Sequence, residues 1–314
     1  MRLLFFGSPG VAVPFLEACL DAGHEVAAVL TQPDKPAGRG LELKAPAVKE
    51  AARRLGLSVL QPERPSDLTH QLRALEADMA VVVAYGRILK PDLLAVTDHG
   101  FMNVHFSLLP AYRGAAPVQW ALMRGESRTG VTLFWLDAGM DTGPVQRLAG
   151  LEVPPDEDAV SLFPRLVALG VAELGAALAD VAAGRLRRAP QGGPATLAPK
   201  LTAEDARIGF DMPAAEIHNR TRGLAAGPGA WFSARSGDRA LRVKLFKTGL
   251  ADASATGRPG RIVVVEPDGG VLIQCGPGIL RLREVQPEGK KRLPASEFLK
   301  GLRLKAGDSI LGPV

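Results

Sequence analysis

Cysteine is scarce in this chain of 314 residues, which has only Cys19 and Cys275, far apart and without a close histidine or cysteine partner. This argues against a disulfide scaffold and against a cysteine-based zinc site. The chain also lacks any run of about 18 consecutive apolar residues, the length that spans a bilayer. The apolar start Met1–Phe6 is soon interrupted by Gly7–Gly10, unlike a signal peptide. We therefore expect a cytoplasmic protein without a membrane segment.

The common phosphate-binding glycine patterns, G-x-G-x-x-G and G-x-x-x-x-G-K-[ST], are absent as well. Gly7–Gly10, between a predicted strand and a predicted helix, could form an anion-binding nest, but this is weak support for a nucleotide site. Glycine and proline, 35 and 25 residues, are spread along the chain. That spread excludes a collagen-like or wholly disordered protein.

The net charge of +5 is unevenly distributed along the chain. Residues 1–200 contain 20 Lys and Arg against 21 Asp and Glu, whereas residues 201–314 contain 18 against 12. One interpretation is that the C-terminal third meets a polyanion, most often a nucleic acid. The other is a solvated surface that carries arginine because the whole sequence is rich in it. The charge alone does not decide between them.

The pattern of elements changes along the chain. Apolar strands such as Leu3–Phe6 and Ala80–Ala84 alternate with helical segments through the first two thirds, which predicts a doubly wound, mostly parallel α/β sheet. Short alternating strands broken by Gly and Pro follow, and they predict a small OB-like β-barrel. We expect a first domain at residues 1–188, a linker at 189–207 and a second domain at 208–314.

Candidate catalytic side chains lie on one predicted strand and in the loop after another. Asn103 and His105 alternate on one strand and so share a face. A glycine-punctuated loop after another strand carries Asp137 and Asp141. An Asn for an oxyanion, a His for a proton and an Asp to orient the His would suit acyl-type transfer. The alternatives are a hydrogen-bonded core histidine and aspartates that form turns.

At these residues the chain resembles the 10-formyltetrahydrofolate-dependent formyltransferases, and the resemblance covers essentially its whole length. The segments that carry it are Asn103-Val-His105, Ser107–Pro110, Tyr112–Pro117 and Asp141. Three further segments narrow it to the branch of the family that formylates initiator methionyl-tRNA for translation initiation: Phe6–Pro9, Gln32–Gly40 and Leu282–Arg292. The resemblance implies a formyl-transfer domain followed by an OB-like domain that contacts tRNA.

The resemblance also implies site residues. Asn103, His105 and Asp141 would be catalytic, and 10-formyltetrahydrofolate would be the co-substrate, with no metal. The folate pocket would be lined by Ser107, Leu108, Leu109, Pro110, Arg87, Ile88, Leu89 and Asp137. The tRNA contacts would be Lys35, Arg39, Lys44, Lys290, Lys291 and Arg292. We expect initiator methionyl-tRNA as the partner and a monomeric protein.

The sequence departs from the family at several points. Phe106 stands where a glycine is common between the His and the Ser, and Leu41-Glu42 stands where relatives often carry lysines. The segment Leu224–Gly229 lacks the aromatic-Asn-Pro sequence that is usual in the family. The alternatives are an enzyme that formylates glycinamide ribonucleotide or an amino-sugar nucleotide, and a non-catalytic RNA-binding protein. The intact catalytic residues disfavour the last, and the basic second domain and the Gln32–Gly40 loop disfavour the others.

Overall fold

The computed structural model describes residues 1–37, 42–236, 239–252 and 257–311. The chain divides into two compact units. The first contains Met1–Pro117, Thr129–Leu151 and Pro164–Pro199, and the second contains Val118–Arg128, Glu152–Phe163 and Lys200–Val314. The domain boundaries given above, with a linker at 189–207, stay a prediction.

The described residues between Met1 and Pro199 form eleven strands and six α-helices. The strands are β1 (Arg2–Gly7), β2 (Glu25–Leu30), β3 (Lys35–Ala37), β4 (Glu42–Lys44), β5 (Val59–Leu60), β6 (Met79–Val83), β7 (Phe101–His105), β8 (Arg113–Gly114), β9 (Arg128–Trp135), β10 (Val145–Glu152) and β11 (Leu197–Ala198). The helices are α1 (Val13–Asp21), α2 (Ala47–Arg54), α3 (Thr69–Arg73), α4 (Pro91–Leu94), α5 (Pro117–Met123) and α6 (Ala159–Ala182). Two short 3-10 helices cover Gly10–Ala12 and Pro65–Leu68.

Seven of these strands form one sheet in the order β10-β9-β7-β6-β1-β2-β5. From β5 to β7 every neighbouring pair is parallel, and β9 then runs antiparallel to β7. All five residues of β6 are buried, as its unbroken apolar sequence requires in a sheet covered on both faces. The predicted mostly parallel sheet is confirmed.

Part of the core beside this sheet is aromatic. Phe6 lies edge-on to Tyr85, with ring centroids 5.3 Å apart, and tilts against Phe101 at 5.2 Å. Phe106 is 8% exposed and its ring lies 6.1 Å from that of Phe15 on α1. The departure at position 106 therefore places a ring in the packing against a helix.

Helix α6 has 24 residues and is the one described helix that is long and apolar enough, by length and composition, to cross a membrane. That is weak support for a spanning helix, because core helices of soluble proteins pass the same test. Arg147 of β10 donates hydrogen bonds to Glu173 and Asp180 of α6, at 2.7 and 3.0 Å. The helix therefore carries charged groups in structural ion pairs.

The rest of the chain forms the strands β12 (Trp231–Ser236), β13 (Arg239–Ala251), β14 (Ile262–Val265), β15 (Val271–Gln274), β16 (Ile279–Pro287) and β17 (Leu293–Pro294) and the helices α7 (Ala214–Gly223) and α8 (Ala295–Leu302). The sheet order is β12-β13-β16-β15-β14, with β17 on β16, and all recorded pairs are antiparallel. Alternate residues such as Val243, Leu245, Ile273 and Leu282 face one core. The predicted second set of short antiparallel strands is confirmed.

Candidate active site

Asn103 and His105 lie two residues apart on β7, in the centre of the first sheet. Asn103 pairs with Val82 on one side and Phe134 on the other. Asn103 is half-buried, and His105 is 6% exposed. Their alternation puts both side chains on the same face of the strand, as the sequence predicts.

The two ring nitrogens of His105 have different neighbours. Nε2 lies 2.9 Å from the main-chain oxygen of Tyr112, and Nδ1 lies 3.7 Å from Oδ2 of Asp141. A carbonyl oxygen only accepts hydrogen bonds, so Nε2 carries the hydrogen in the neutral ring and Nδ1 has the free lone pair. The distance of 3.7 Å is too long for a hydrogen bond. Nδ1 is therefore the nitrogen that can take a proton, and Asp141 stands beside it.

The loop that follows β9 brings Asp141 to His105. Because β9 is antiparallel to β7 and its Trp135 pairs with Met102, the following loop leaves the sheet level with the start of β7. The loop turns back, and Asp141 takes a φ of +54°, in the left-handed region. Its Oδ2 accepts a hydrogen bond of 2.7 Å from the Gly114 amide. The Asp141 carboxylate therefore reaches the ring of His105 because this loop folds back.

Burial and charge act in opposite directions on His105. Burial lowers the pKa of its imidazole below 6.5, while the Asp141 carboxylate and the hydrogen bond to the Tyr112 carbonyl raise it. Burial is the larger effect. The ring is therefore neutral at neutral pH, and a proton arriving at Nδ1 would be stabilised by the adjacent carboxylate.

The segment Ser107–Pro110 that follows β7 is tightly packed. Ser107 is fully buried and its hydroxyl donates to the main-chain oxygen of Ala111 at 2.6 Å. Thr132 accepts from the Leu109 amide at 3.0 Å and donates to the Ser107 carbonyl at 2.6 Å. Leu109 and Pro110 are buried and Leu108 is half-buried. These contacts fix the main chain directly after His105.

The remaining residues predicted for the folate pocket differ in exposure. Ile88 is 92% exposed, whereas the neighbouring Leu89 is buried at 8%. Arg87 lies 3.7 Å from the Glu63 carboxylate. Asp137 is exposed and its Oδ1 accepts hydrogen bonds from the Gly139 amide at 2.9 Å and the Thr142 hydroxyl at 2.6 Å. Asp137 thus forms the turn that leads into Asp141, which was the alternative interpretation of this residue.

The basic residues predicted on the early loop can be placed only in part, because Arg39 lies outside the described residues. Lys35 and Lys44 are exposed, and they lie opposite each other in the strand register at the open end of the hairpin β3–β4. Lys35 donates to the Gln32 side-chain oxygen at 2.6 Å. Behind this end, Lys49 donates to both carboxylate oxygens of Asp34, at 2.8 and 2.7 Å. An ion pair between a buried lysine and a half-buried aspartate therefore anchors the base of the hairpin.

In the second unit, cations and aromatic rings are stacked. Arg292 lies over the ring of Phe246 at 3.5 Å, and Arg242 lies over that of Trp231 at 4.1 Å. Lys290 and Lys291 precede Arg292 and are exposed. The sequence singled out the basic run but missed Arg242. Val243 and Leu245 are buried, so the alternation along β13 would have predicted that Arg242 lies on the exposed face.

The sequence also missed three polar residues that support the main chain around His105 and Asp141. Arg113 donates to the side-chain oxygen of Gln191, whose amide donates to the main-chain oxygens of Asp141 and Gly143. Thr196 accepts a hydrogen bond of 2.8 Å from the Tyr112 amide. These contacts span many tens of residues, so no local pattern signals them. Among the described residues, no cluster of three or more His, Cys, Asp or Glu is placed to hold a metal ion.

Comparison with known families matches both parts of the chain. Residues 1–178 match the formyl transferase family, and residues 200–303 match the C-terminal domain of formyl transferases. The chain belongs to the formyl transferase family, a class of enzymes. It groups there with the methionyl-tRNA formyltransferases, to which it is similar over its full length.

Two such relatives and one solved structure illustrate the similarity. The methionyl-tRNA formyltransferase of Anaeromyxobacter dehalogenans is 46% identical over 97% of this chain and 98% of its own. That of Solibacter usitatus is 44% identical over 99% and 98%. The crystal structure of an N-formyltransferase from Helicobacter canadensis with folinic acid and dTDP-3-aminofucose shares the fold, with a TM-score of 0.68, 19% identity and coverage of 90% of this chain and 98% of that one.

Proposed function

We propose that the chain transfers the formyl group of 10-formyltetrahydrofolate to the free α-amino group of methionyl-initiator tRNA. The observation that carries this is the position of the Asp141 carboxylate beside His105, on whose strand Asn103 also lies. The full-length relatives of this chain are named for the same activity. The product supports translation initiation.

In the proposed reaction, the neutral amine attacks the formyl carbon that is bonded to N10 of the folate. A carbon–nitrogen bond forms, and the amine loses a proton as the tetrahedral intermediate develops. A free α-amino group has a pKa of about 7.7 to 8.0, so a large part of it is neutral near pH 7. A weak base is therefore sufficient, and positioning of the two reactants is the larger contribution.

His105 is the base in this scheme. Its Nε2 hydrogen is held by the Tyr112 carbonyl, so Nδ1 accepts the proton of the attacking amine. The resulting imidazolium lies against the Asp141 carboxylate, 3.7 Å away before the proton arrives. An opposite charge at this distance favours the protonated ring.

Asn103 would stabilise the oxygen that becomes negative when the amine attacks. Its side-chain amide can donate hydrogen bonds, and a fixed donor of this kind is worth most where water is excluded. When the carbon–N10 bond breaks, N10 needs a proton, which His105 with Asp141 supplies directly or through water. The folate then leaves as tetrahydrofolate.

We assign the pteridine and formyl end of the folate to the loops after β6, β7 and β9. Ser107–Pro110 supply a packed, immobile wall, and Ile88 supplies an exposed apolar side chain. A rigid apolar pocket with a few polar groups suits a planar heterocycle. The folinic acid bound by the Helicobacter canadensis protein belongs to the same class of ligand.

The tRNA contacts are proposed on two elements. Lys35, Arg39 and Lys44 on the early loop would meet the acceptor end, and Lys290, Lys291 and Arg292 would meet the body of the tRNA. The stacked pairs of Arg292 with Phe246 and Arg242 with Trp231 support this second contact, since arginine planes and aromatic rings are common in RNA interfaces. A cytoplasmic monomer with the domains at residues 1–188 and 208–314 completes the proposal.

The amino-sugar nucleotide is the second candidate acceptor, since the Helicobacter canadensis structure shares the fold. The deciding experiment offers 10-formyltetrahydrofolate together with methionyl-initiator tRNA, glycinamide ribonucleotide or dTDP-3-aminofucose. Formylation of the tRNA alone is the expected result. Preferential formylation of either small acceptor would contradict the proposal.

A further inference from the structure

We propose that Gln191 is a positioning residue for formyl transfer, holding the main chain of the Asp141 loop so that the carboxylate stands at its distance from His105. This inference rests on the proposed function. Gln191 is 50 positions from Asp141 in the sequence and lies outside the loops to which the site has been assigned.

The side-chain amide of Gln191 has a partner in each direction. Its Nε2 donates to the main-chain oxygen of Asp141 at 2.8 Å and to that of Gly143 at 2.9 Å. Its Oε1 accepts from Arg113, at 2.6 Å from Nη2 and 3.3 Å from Nε. A reversed amide would set its oxygen against two carbonyl oxygens, so the orientation is fixed.

The Asp141 loop needs such support. A left-handed φ is uncommon for a residue other than glycine, and Asp141 has a φ of +54°. Asp137 holds the first part of the loop through the Gly139 amide and the Thr142 hydroxyl. Gln191 binds the carbonyls on both sides of Thr142 and so holds the second part.

The segment 191–198 also holds the other neighbour of His105. Thr196 accepts from the Tyr112 amide at 2.8 Å and its own amide donates to the Pro110 carbonyl at 3.2 Å. Leu197 and Ala198 pair with β8. The carbonyl of Tyr112 takes the Nε2 hydrogen of His105. One segment therefore fixes the main chain beside both ring nitrogens.

This placement matters because the gap between Nδ1 and the carboxylate is 3.7 Å and must close when the proton arrives. A misplacement of about 1 Å can lower a rate about 100-fold. Gln191 contacts the main chain of the Asp141 loop and is not among the residues assigned to the folate or the tRNA. Loss of the Gln191 amide should therefore act on turnover and leave KM nearly unchanged.

The test compares Gln191→Met with Gln146→Met in the full-length protein. Gln146 is a matched control, because its buried amide also bridges main-chain groups, accepting from the Arg187 amide at 2.8 Å and donating to the Arg185 carbonyl at 3.4 Å. We expect Gln191→Met to lower kcat about tenfold or more, with both KM values within about twofold. Gln146→Met should retain the wild-type kcat.

A second variant, Gln191→Glu, keeps a partner for Arg113 but removes both amide hydrogens. We expect its kcat to be as low as that of Gln191→Met or lower, and it decides the question if the methionine variant does not fold. A wild-type kcat in either folded variant, a change in KM alone, or an equal loss in the Gln146 control would overturn the proposal. If the wild-type protein does not formylate methionyl-tRNA at all, the proposed function fails instead.

Discussion

The two ring nitrogens of His105 have different neighbours, the Tyr112 carbonyl and the Asp141 carboxylate. The alternation of Asn103 and His105 on one strand predicts that they share a face, and they do. The assignment of Nδ1 as the basic nitrogen could not be predicted, because it depends on the carbonyl of Tyr112, a group that every residue has. Asp137 accepts a hydrogen bond within its own turn, whereas Asp141 faces the histidine, and the roles predicted for both residues stay predictions.

Substitution of either member of this pair should abolish most of the turnover. We expect His105→Ala and Asp141→Asn each to lower kcat by about 100-fold or more, because each removes a proton-transfer partner. Asparagine tolerates a left-handed φ, so Asp141→Asn removes the charge and leaves the backbone in place. Tetrahydrofolate affinity should stay near the wild-type value. Steady-state kinetics with a separate binding measurement check both points, and near wild-type turnover would refute the assignment.

The elements show why the sequence predicts the sheet better than the site. Buried strands such as β1 and β6 are recognisable from apolar runs, and their alternation with helices predicts that they run parallel. The antiparallel course of β9 is not visible in its residues, and it determines where the Asp141 loop leaves the sheet. The same holds for β11, only two residues long, which pairs with β8 many tens of residues earlier in the chain.

The ion pair at the base of the hairpin β3–β4 predicts an effect on methionyl-tRNA binding. Lys49 of α2 is 8% exposed and binds Asp34 directly before the hairpin, so Lys49→Met removes this ion pair and keeps the hydrogen bond from the Gln61 side chain. We expect KM for methionyl-tRNA to rise severalfold while KM for the folate is unchanged. The control is Arg54→Met on the same helix, where the partner Glu17 lies 3.9 Å away at the surface. Equal effects in the two variants would show that the anchor does not serve the hairpin.

For the whole molecule, the buried histidines make the free energy of unfolding depend on pH in mild acid. Burial is the first cause that lowers the pKa of both His105 and His218 below 6.5. The unfolded chain binds these protons more readily, so their contribution is fully present above pH 6.5 and is lost as the pH falls. The free energy of unfolding should decline below that pH by at most about 1.4 kcal/mol per pH unit for each histidine. Denaturant unfolding at several pH values checks this, and His218→Gln should reduce the slope.

The uneven charge of the chain gives a prediction about tRNA affinity. Each phosphate contact contributes about 0.7 to 0.9 to the slope of log affinity against log salt concentration. Replacing Lys290, Lys291 and Arg292 by glutamine should reduce that slope by about 2 to 3. Lys300→Gln is the control, because that lysine is paired with Glu297 at 2.7 Å. An unchanged slope in the triple variant would place the tRNA contact elsewhere.

The hydrogen bond from His105 to Tyr112 has a further consequence for how this site can vary over time. Its acceptor is the peptide group, so no replacement of the Tyr112 side chain deletes it. Sequence drift at position 112 can alter the contact only by moving the chain, and Thr196 and β11 restrain that movement. The protonation pattern of the His105 ring is thereby inherited with the fold, and it can persist in homologues whose residue at this position differs.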